Sequence, residues 1–316
     1  MASATGKLAK VKISKSEWYY GRRSTGSMIF DIVNIAFLLV LSVVTLYPFL
    51  YVLFASLSNP LQYMAHRGII WRPIGFSLRG YDLVLRNPGI TNGFRVSVFV
   101  AVVGTTMNMV MSLLFAYVLS RKNLMLHAPI TFIAIFTMYF SGGMIPTFFV
   151  VRALGLLDSV WSLILPGLIS TWNVIILRTA FASVPVEMEE SAMLDGAGNI
   201  RILIFILIPL IVPTIAAISL FYMVGHWNAW VNALIYIRNT DLFPLQLVLR
   251  SILIQGDVTG MIAEGGATFY EPGEDQAVRL LLRYSTVIVS MMPVIAVYPF
   301  IQKYFTKGIM IGAIKG

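Results

Sequence analysis

Six stretches of this chain are long and apolar enough to cross a bilayer, and that feature removes most folds from consideration. They run roughly over 28–53, 94–119, 129–151, 160–182, 203–226 and 281–302. Backbone polar groups inside hydrocarbon must satisfy one another, so each run of about 20 apolar residues predicts a helix. The expected fold is therefore an all-α polytopic membrane protein with six transmembrane helices. Composition agrees, with 58% hydrophobic and only 12% charged residues. Pro166, Pro209, Pro213, Pro293 and Pro299 fall inside or at the edge of spans, where neighbouring helices can re-satisfy freed carbonyls. Gly142-Gly143 in the third span marks a bend or a close helix crossing.

Charge orients the spans. Residues 1–28 form a basic arm with Lys7, Lys10, Lys12, Lys15, Arg22 and Arg23 against Glu17. The apolar run behind the arm is longer than the 7–15 residues of a signal peptide, so it is expected to stay as an uncleaved first span. With the arm inside and six spans, both termini are cytoplasmic and every lysine falls inside, including Lys122, Lys303, Lys307 and Lys315. The net charge of +9 thus describes topology and not a nucleic-acid surface. Arginine behaves differently: Arg67, Arg72, Arg79, Arg86, Arg95, Arg152, Arg238, Arg250, Arg279 and Arg283 lie outside or at the outer interface. There is no cysteine, and His66, His127 and His226 are too scattered for a metal site and read as interfacial polar residues. The chain divides into the arm 1–28, a first span with its external loop 29–93, a core 94–302 and a tail 303–316.

One polar interruption stands apart. Ser183 to Pro213 reads SVPVEMEESAMLDGAGNIRILIFILIPLIVP, a short helix, a glycine turn and a return to apolar sequence. Ser183 can cap the helix, Pro185 suits its first turn, and Glu187, Glu189 and Glu190 sit near its positive dipole end. Asp195-Gly196 ends it. Val184, Met188 and Ala192 recur every four residues, giving a small apolar face suited to a groove on a partner.

Glu190, Ala192, Asp195, Gly196, Ala197 and Pro209 match the E-A-A-x-x-D-G-A…I-x-L-P loop of ABC-importer permeases, with Ser191 and Ile208 as conservative departures. Residues 141–170 and the ending QKYFTKGIMIGAIKG are similar to carbohydrate permeases of the maltose-permease type, most of all those serving oligosaccharides from plant or algal polysaccharides. The resemblance, over roughly residues 90–316, implies the type I ABC importer permease fold. It implies that the loop at 183–209 is a coupling loop docking into a cytoplasmic ATPase dimer, and that the tail, with Lys307, Gly308 and Gly312, reaches the same interface. The implied partners are a second permease forming a heterodimer, an extracytoplasmic solute-binding protein, membrane lipid and an oligosaccharide. ATP and magnesium would be held by the ATPase and no cofactor by this chain.

Candidate pathway residues are Asn108, Trp172 and Asn173 within spans, and Trp227, Asn228 and Asn232 at the start of the external loop 227–280. Asn108 can equally bond neighbouring helices together. Trp227, Trp230, Tyr236 and Phe243 suit an interfacial aromatic belt or stacking on sugar faces. The external arginines, with Arg95, Arg152 and Arg283 nearest the pathway, fit a uronate substrate, lipid phosphates or an acidic binding-protein face. No G-x-x-x-x-G-K-[ST] occurs, so energy must come from another subunit. A lipid-linked glycosyltransferase would need acidic motifs at a membrane edge. An ion-coupled secondary transporter would need ionisable groups at mid-membrane and a repeated half. Neither pattern is present.

Overall fold

The computed structural model describes residues 25–121, 124–255 and 275–313. Among these there is helix and loop but no strand, apart from one isolated bridge between Ser58 and Phe76. The arm through residue 24, Lys122, the external loop 256–274 with Gly256 and Gly260, and Lys315 lie outside the described residues.

By contact density the chain divides into Met1–Tyr51 and Val52–Gly316. Helix α1, Thr25–Ser56, supplies the described part of the first unit. It is apolar all round and none of its apolar window is buried, as befits a helix whose solvent is lipid.

In the second unit, α2 (Pro60–Ala65) and α3 (Arg79–Arg86) lead into α4, Pro88–Ser120. Asn87 starts α4 by accepting the Ile90 N–H at 3.0 Å, with Pro88 in the first turn. Its buried positions include Gly93, Ser97, Ala101, Gly104, Asn108, Ser112 and Ala116, a stripe of small and polar residues three or four apart. Small side chains let other helices approach closely within a membrane. The stripe makes α4 the helix on which α7 (Thr171–Ala182), α11 (Val212–Asn228) and α13 (Leu245–Arg250) pack. Gly89 and Gly93 are in the first turns of α4. A Cβ on Gly93 would crowd the backbone at Phe243 and Leu245. Gly308 and Gly312 likewise fall inside a helix.

Three expected spans are broken. Helices α5 (His127–Tyr139) and α6 (Met144–Ala153) meet at 116° through Gly143, whose φ of 85° is left-handed. Two 3-10 turns, Val160–Leu163 and Leu165–Gly167, meet α7 at 52°. Beyond α8 (Val186–Leu194), the segment Asn199–Leu210 combines α9 (Asn199–Ile202), a π turn (Leu203–Leu207) and α10 (Ile208–Leu210), and meets α11 at 86°. Pro209 and Pro213 withhold two amide donors around that elbow. After α12 (Val231–Tyr236) and α13, the long helix α14, Asp275–Ala313, closes the fold. Among the described residues three helices are long and apolar enough to cross a membrane, or up to six if each bent pair counts as one span.

Candidate functional site

Helix α8 holds the acidic stretch at the centre of the sequence motif. Its N-cap is Pro185 without a side-chain hydrogen bond. The Ser183 hydroxyl instead donates back to the Ala180 carbonyl at 2.8 Å, closing α7 and leaving α8 without the cap expected of it. The other end behaves as the sequence implies. Gly196 takes φ 78°, its N–H donates to Met193, and the Ala197 N–H donates to Ala192 at 2.9 Å. This is a Schellman stop, and it accounts for the motif residues one by one. Gly196 supplies the left-handed turn, Ala192 and Ala197 meet beneath it in the core, and Asp195 is the cap.

The orientation of α8 differs from the sequence expectation. Val184 and Ala192 are packed into this chain's own core, with Val174, Leu177 and Phe181. Two of the three residues of the small face thus pack inward, while Met188 is 43% exposed. The outward face carries Glu187, Glu190, Ser191 and Leu194, the last 89% exposed. Glu189, adjacent to Glu190, is only 6% exposed and accepts a two-pronged ion pair from Arg121, with Nη2 to Oε1 at 3.1 Å and Nη1 on Oε2. Arg121, the C-cap of α4, also lies 4.3 Å over the Tyr117 ring. Pro209, the last motif residue, is exposed at the 86° elbow.

A second polar group sits where the fourth span breaks. The Asn108 amide donates to the carbonyls of Gly167 at 2.7 Å and Leu168 at 2.8 Å, and its Oδ1 lies 2.6 Å from His226 Nε2. One turn away, the Ser170 N–H donates to the Tyr222 hydroxyl at 3.1 Å, which is 2.7 Å from the Ser112 hydroxyl. Asn108–Ser112 and Tyr222–His226 are both i,i+4 pairs, so two rungs join α4, α11 and the break. Of the two readings open for Asn108, the geometry gives it helix-to-helix bonding. His226, half-buried in the last turn of α11, is part of this arrangement. Sequence reasoning did not find Ser112, Tyr222, Arg121 or Glu189 in these roles, although the matched four-residue spacing of polar side chains on two apolar spans is a visible signal.

The other candidates are dispersed. Asn173 is buried on α7 while its neighbour Trp172 is 61% exposed. Trp227 is buried, donates its indole N–H to Ser290 at 3.1 Å and meets Phe94 edge to face, an arrangement of packing and not of an aromatic belt. Asn228 is exposed and Asn232 half-buried. The Arg250 guanidinium stacks 3.6 Å from the Trp230 ring. Arg95 and Arg152 are exposed, and Arg283 is half-buried with its Nε unbonded. Asp158, at φ 54°, donates its N–H to Tyr236 and accepts the N–H groups of Arg238 and Asn239. Those backbone donors hold its carboxyl below the usual range. Of Lys307, Gly308 and Gly312 the backbone alone is described, and it continues α14.

A bundle of membrane-length helices, with a short outward-facing acidic helix between two broken spans, is the architecture of a transporter's membrane subunit. No family model matches the chain. It is 41% identical over 289 residues to the polygalacturonan/rhamnogalacturonan transport system permease protein YtcP of Bacillus subtilis (strain 168), covering 91% of this chain and 99% of that one. It is 38% identical to protein LplC of the same organism, over 91% and 95% of the two chains. Among solved structures, a bacterial ABC transporter involved in the import of the acidic polysaccharide alginate superposes with a TM-score of 0.83 at 29% identity, over 90% of this chain and all of that one. The chain belongs to the ABC-transporter permeases of sugar import systems, and is a multi-pass protein of the cytoplasmic membrane.

Proposed function

We propose that this chain is one half of a heterodimeric permease that carries a uronate-containing oligosaccharide inward. A solute-binding protein delivers the sugar from outside, and a cytoplasmic ATPase dimer binds and hydrolyses ATP. The chain itself performs no chemistry. In this reading six spans are crossed, and both termini, the arm 1–28, the coupling loop at 183–209 and the tail 303–316 are cytoplasmic. Contacts support that two-sided arrangement. Tyr63 with Tyr284, Asn92 with Asp241 and Asp158 with Tyr236 join segments expected outside. Arg121 with Glu189 and Tyr117 with Asn199 join segments expected inside.

The observation that carries the reading is the outward face of α8. Glu190 is exposed on a helix stopped at Gly196, in a motif whose other alanines pack inward. Closure of the ATPase on ATP moves α8 and, through it, the bundle, and the sugar shifts the balance only by contacting the two states differently. Arg95 and Arg152, exposed on the external side, suit carboxylates, and two of the similar proteins are named for polysaccharides of acidic sugars. Asn173, Trp172, Asn228 and Asn232 are the polar and aromatic groups offered to hydroxyls, and Lys307, Gly308 and Gly312 the tail contact with the ATPase.

The test is uptake into proteoliposomes holding the full complex, comparing neutral and uronate oligosaccharides of equal length, each with its binding protein in excess. Arg152→Gln and Arg283→Gln should slow the acidic sugar selectively. Equal slowing of both removes the acidic-substrate reading, and uptake independent of ATP removes the importer reading.

A further inference from the structure

Adjacent helical residues point about 100° apart, so burying Glu189 decides where Glu190 faces. A helix as short as α8 has little intrinsic stability, and its rotation is set by what it is tied to. One edge is tied by packing, through Ala192 and Ala197. The other edge faces a cavity of about 300 Å³ lined by Ser120, Arg121, Phe181, Val184, Val186 and Glu189. Space of that size leaves α8 room to roll, and across it the fork from Arg121 to Glu189 is the polar tie.

The end of α4 also holds the chain on both sides of α8. Tyr117 meets Phe181 edge to face at 6.0 Å, before the helix, and donates its hydroxyl to the Asn199 carbonyl at 3.3 Å, after it. Arg121 rests on the same tyrosine. A planar guanidinium matches a carboxylate through two parallel bonds, which fixes angle as well as distance.

We propose that Arg121 and Glu189 are positioning residues: their ion pair sets the rotation of α8 about its axis and so presents Glu190 to the ATPase. This rests on the coupling role given to α8 above. Removing the Arg121 charge leaves the Glu189 carboxylate facing a cavity, and the helix rolls until it reaches water; removing the Glu189 charge releases α8 from the fork.

The chain has no cysteine, so single cysteines report rotation directly. Cysteine at 190 (Glu190→Cys) should react quickly with a soluble maleimide, and at 192 (Ala192→Cys) slowly, in membranes stripped of the ATPase so that it does not cover α8. Adding Arg121→Gln or Glu189→Gln should raise labelling at 192 several-fold and lower binding-protein-stimulated ATPase activity per assembled complex. Arg121→Lys keeps the charge without the fork and should be intermediate. The double reversal Arg121→Glu with Glu189→Arg should restore both readouts, and it carries the test if the single variants fail to assemble. An unchanged labelling pattern in the single variants, or no recovery in the double reversal, overturns the proposal. Labelling does not depend on coupling. If it shifts while stimulated activity is untouched in these variants and in Gly196→Val, the clamp stands and the coupling role of α8 falls.

Discussion

His226 and Asn108 meet at 2.6 Å, and the direction of that bond follows from the other two. Both Asn108 amide bonds run to carbonyls, at Gly167 and Leu168, so its Oδ1 accepts and His226 Nε2 carries the hydrogen. The break before α7 is thereby supplied with the donors that a helix would have provided. A single interhelical hydrogen bond in a bilayer is worth about 0.6 kcal/mol on average. Orphaning buried carbonyls costs more, about 1–3 kcal/mol.

Asn108→Leu should therefore lower stability in detergent by about 2 kcal/mol, more than Ser112→Ala, for which about 0.6 kcal/mol is expected. Thermal unfolding monitored by fluorescence ranks the two. Equal losses would mean that the carbonyls at the break find water instead.

Gly104 leaves the room that His226 occupies. A Cβ at position 104 would sit 2.6 Å from His226 Nε2, nearer than van der Waals contact allows. Gly104→Ala should cost about 1–3 kcal/mol as overpacking. His226→Ala in the same chain should recover part of it, with a coupling above about 0.5 kcal/mol in the double-mutant cycle. Strict additivity would place the strain elsewhere.

At Gly196 nothing lies within 4 Å of the position a Cβ would take, so substitution there tests backbone conformation alone. The φ of 78° disfavours a β-branched residue strongly and asparagine little. Gly196→Val should abolish most binding-protein-stimulated ATPase activity with the subunit still in the membrane, and Gly196→Asn should retain it. Similar losses in both would point to a side-chain clash with the partner instead of the turn.

Asp158 sets a pH dependence outside the membrane. The N–H groups of Arg238 and Asn239 depress its folded-state pKa, so its contribution is present above the unfolded carboxylate value of about 3.9 and is lost as pH falls through the lower folded value. Hydrogen exchange at the Arg238 and Asn239 amides, measured near pH 5 and pH 3, should show protection falling at the lower value. Asp158→Asn keeps a residue tolerant of φ 54° and should show weaker, pH-independent protection. A pH response surviving that substitution would assign the effect to another group.

Length and hydropathy carried the helical class, because the bilayer leaves the backbone few alternatives. The Asp195-Gly196 stop was equally legible, since one residue type fits one conformation. Rotation was not. Glu189 and Glu190 are identical side chains one position apart, and only the location of Arg121 on α4, far off in sequence, decides which is buried. The 86° elbow escaped for a related reason: Pro209 and Pro213 announce missing donors, while the angle depends on what packs around Ile211. Ser183 had the composition of a cap, but the carbonyl at the end of α7 was nearer.

Helix α4, like α14, runs unbroken, for 33 residues or about 50 Å. At one end the Ser97 hydroxyl accepts the Leu245 N–H and Asn92 reaches Asp241. At the other, Arg121 holds Glu189. A rod of that length converts angle into travel: tilting it by roughly 5° about its Asn92 end sweeps the Arg121 end through about 4 Å. A tilt of α4 would carry Glu189, and α8 with it, by the same distance.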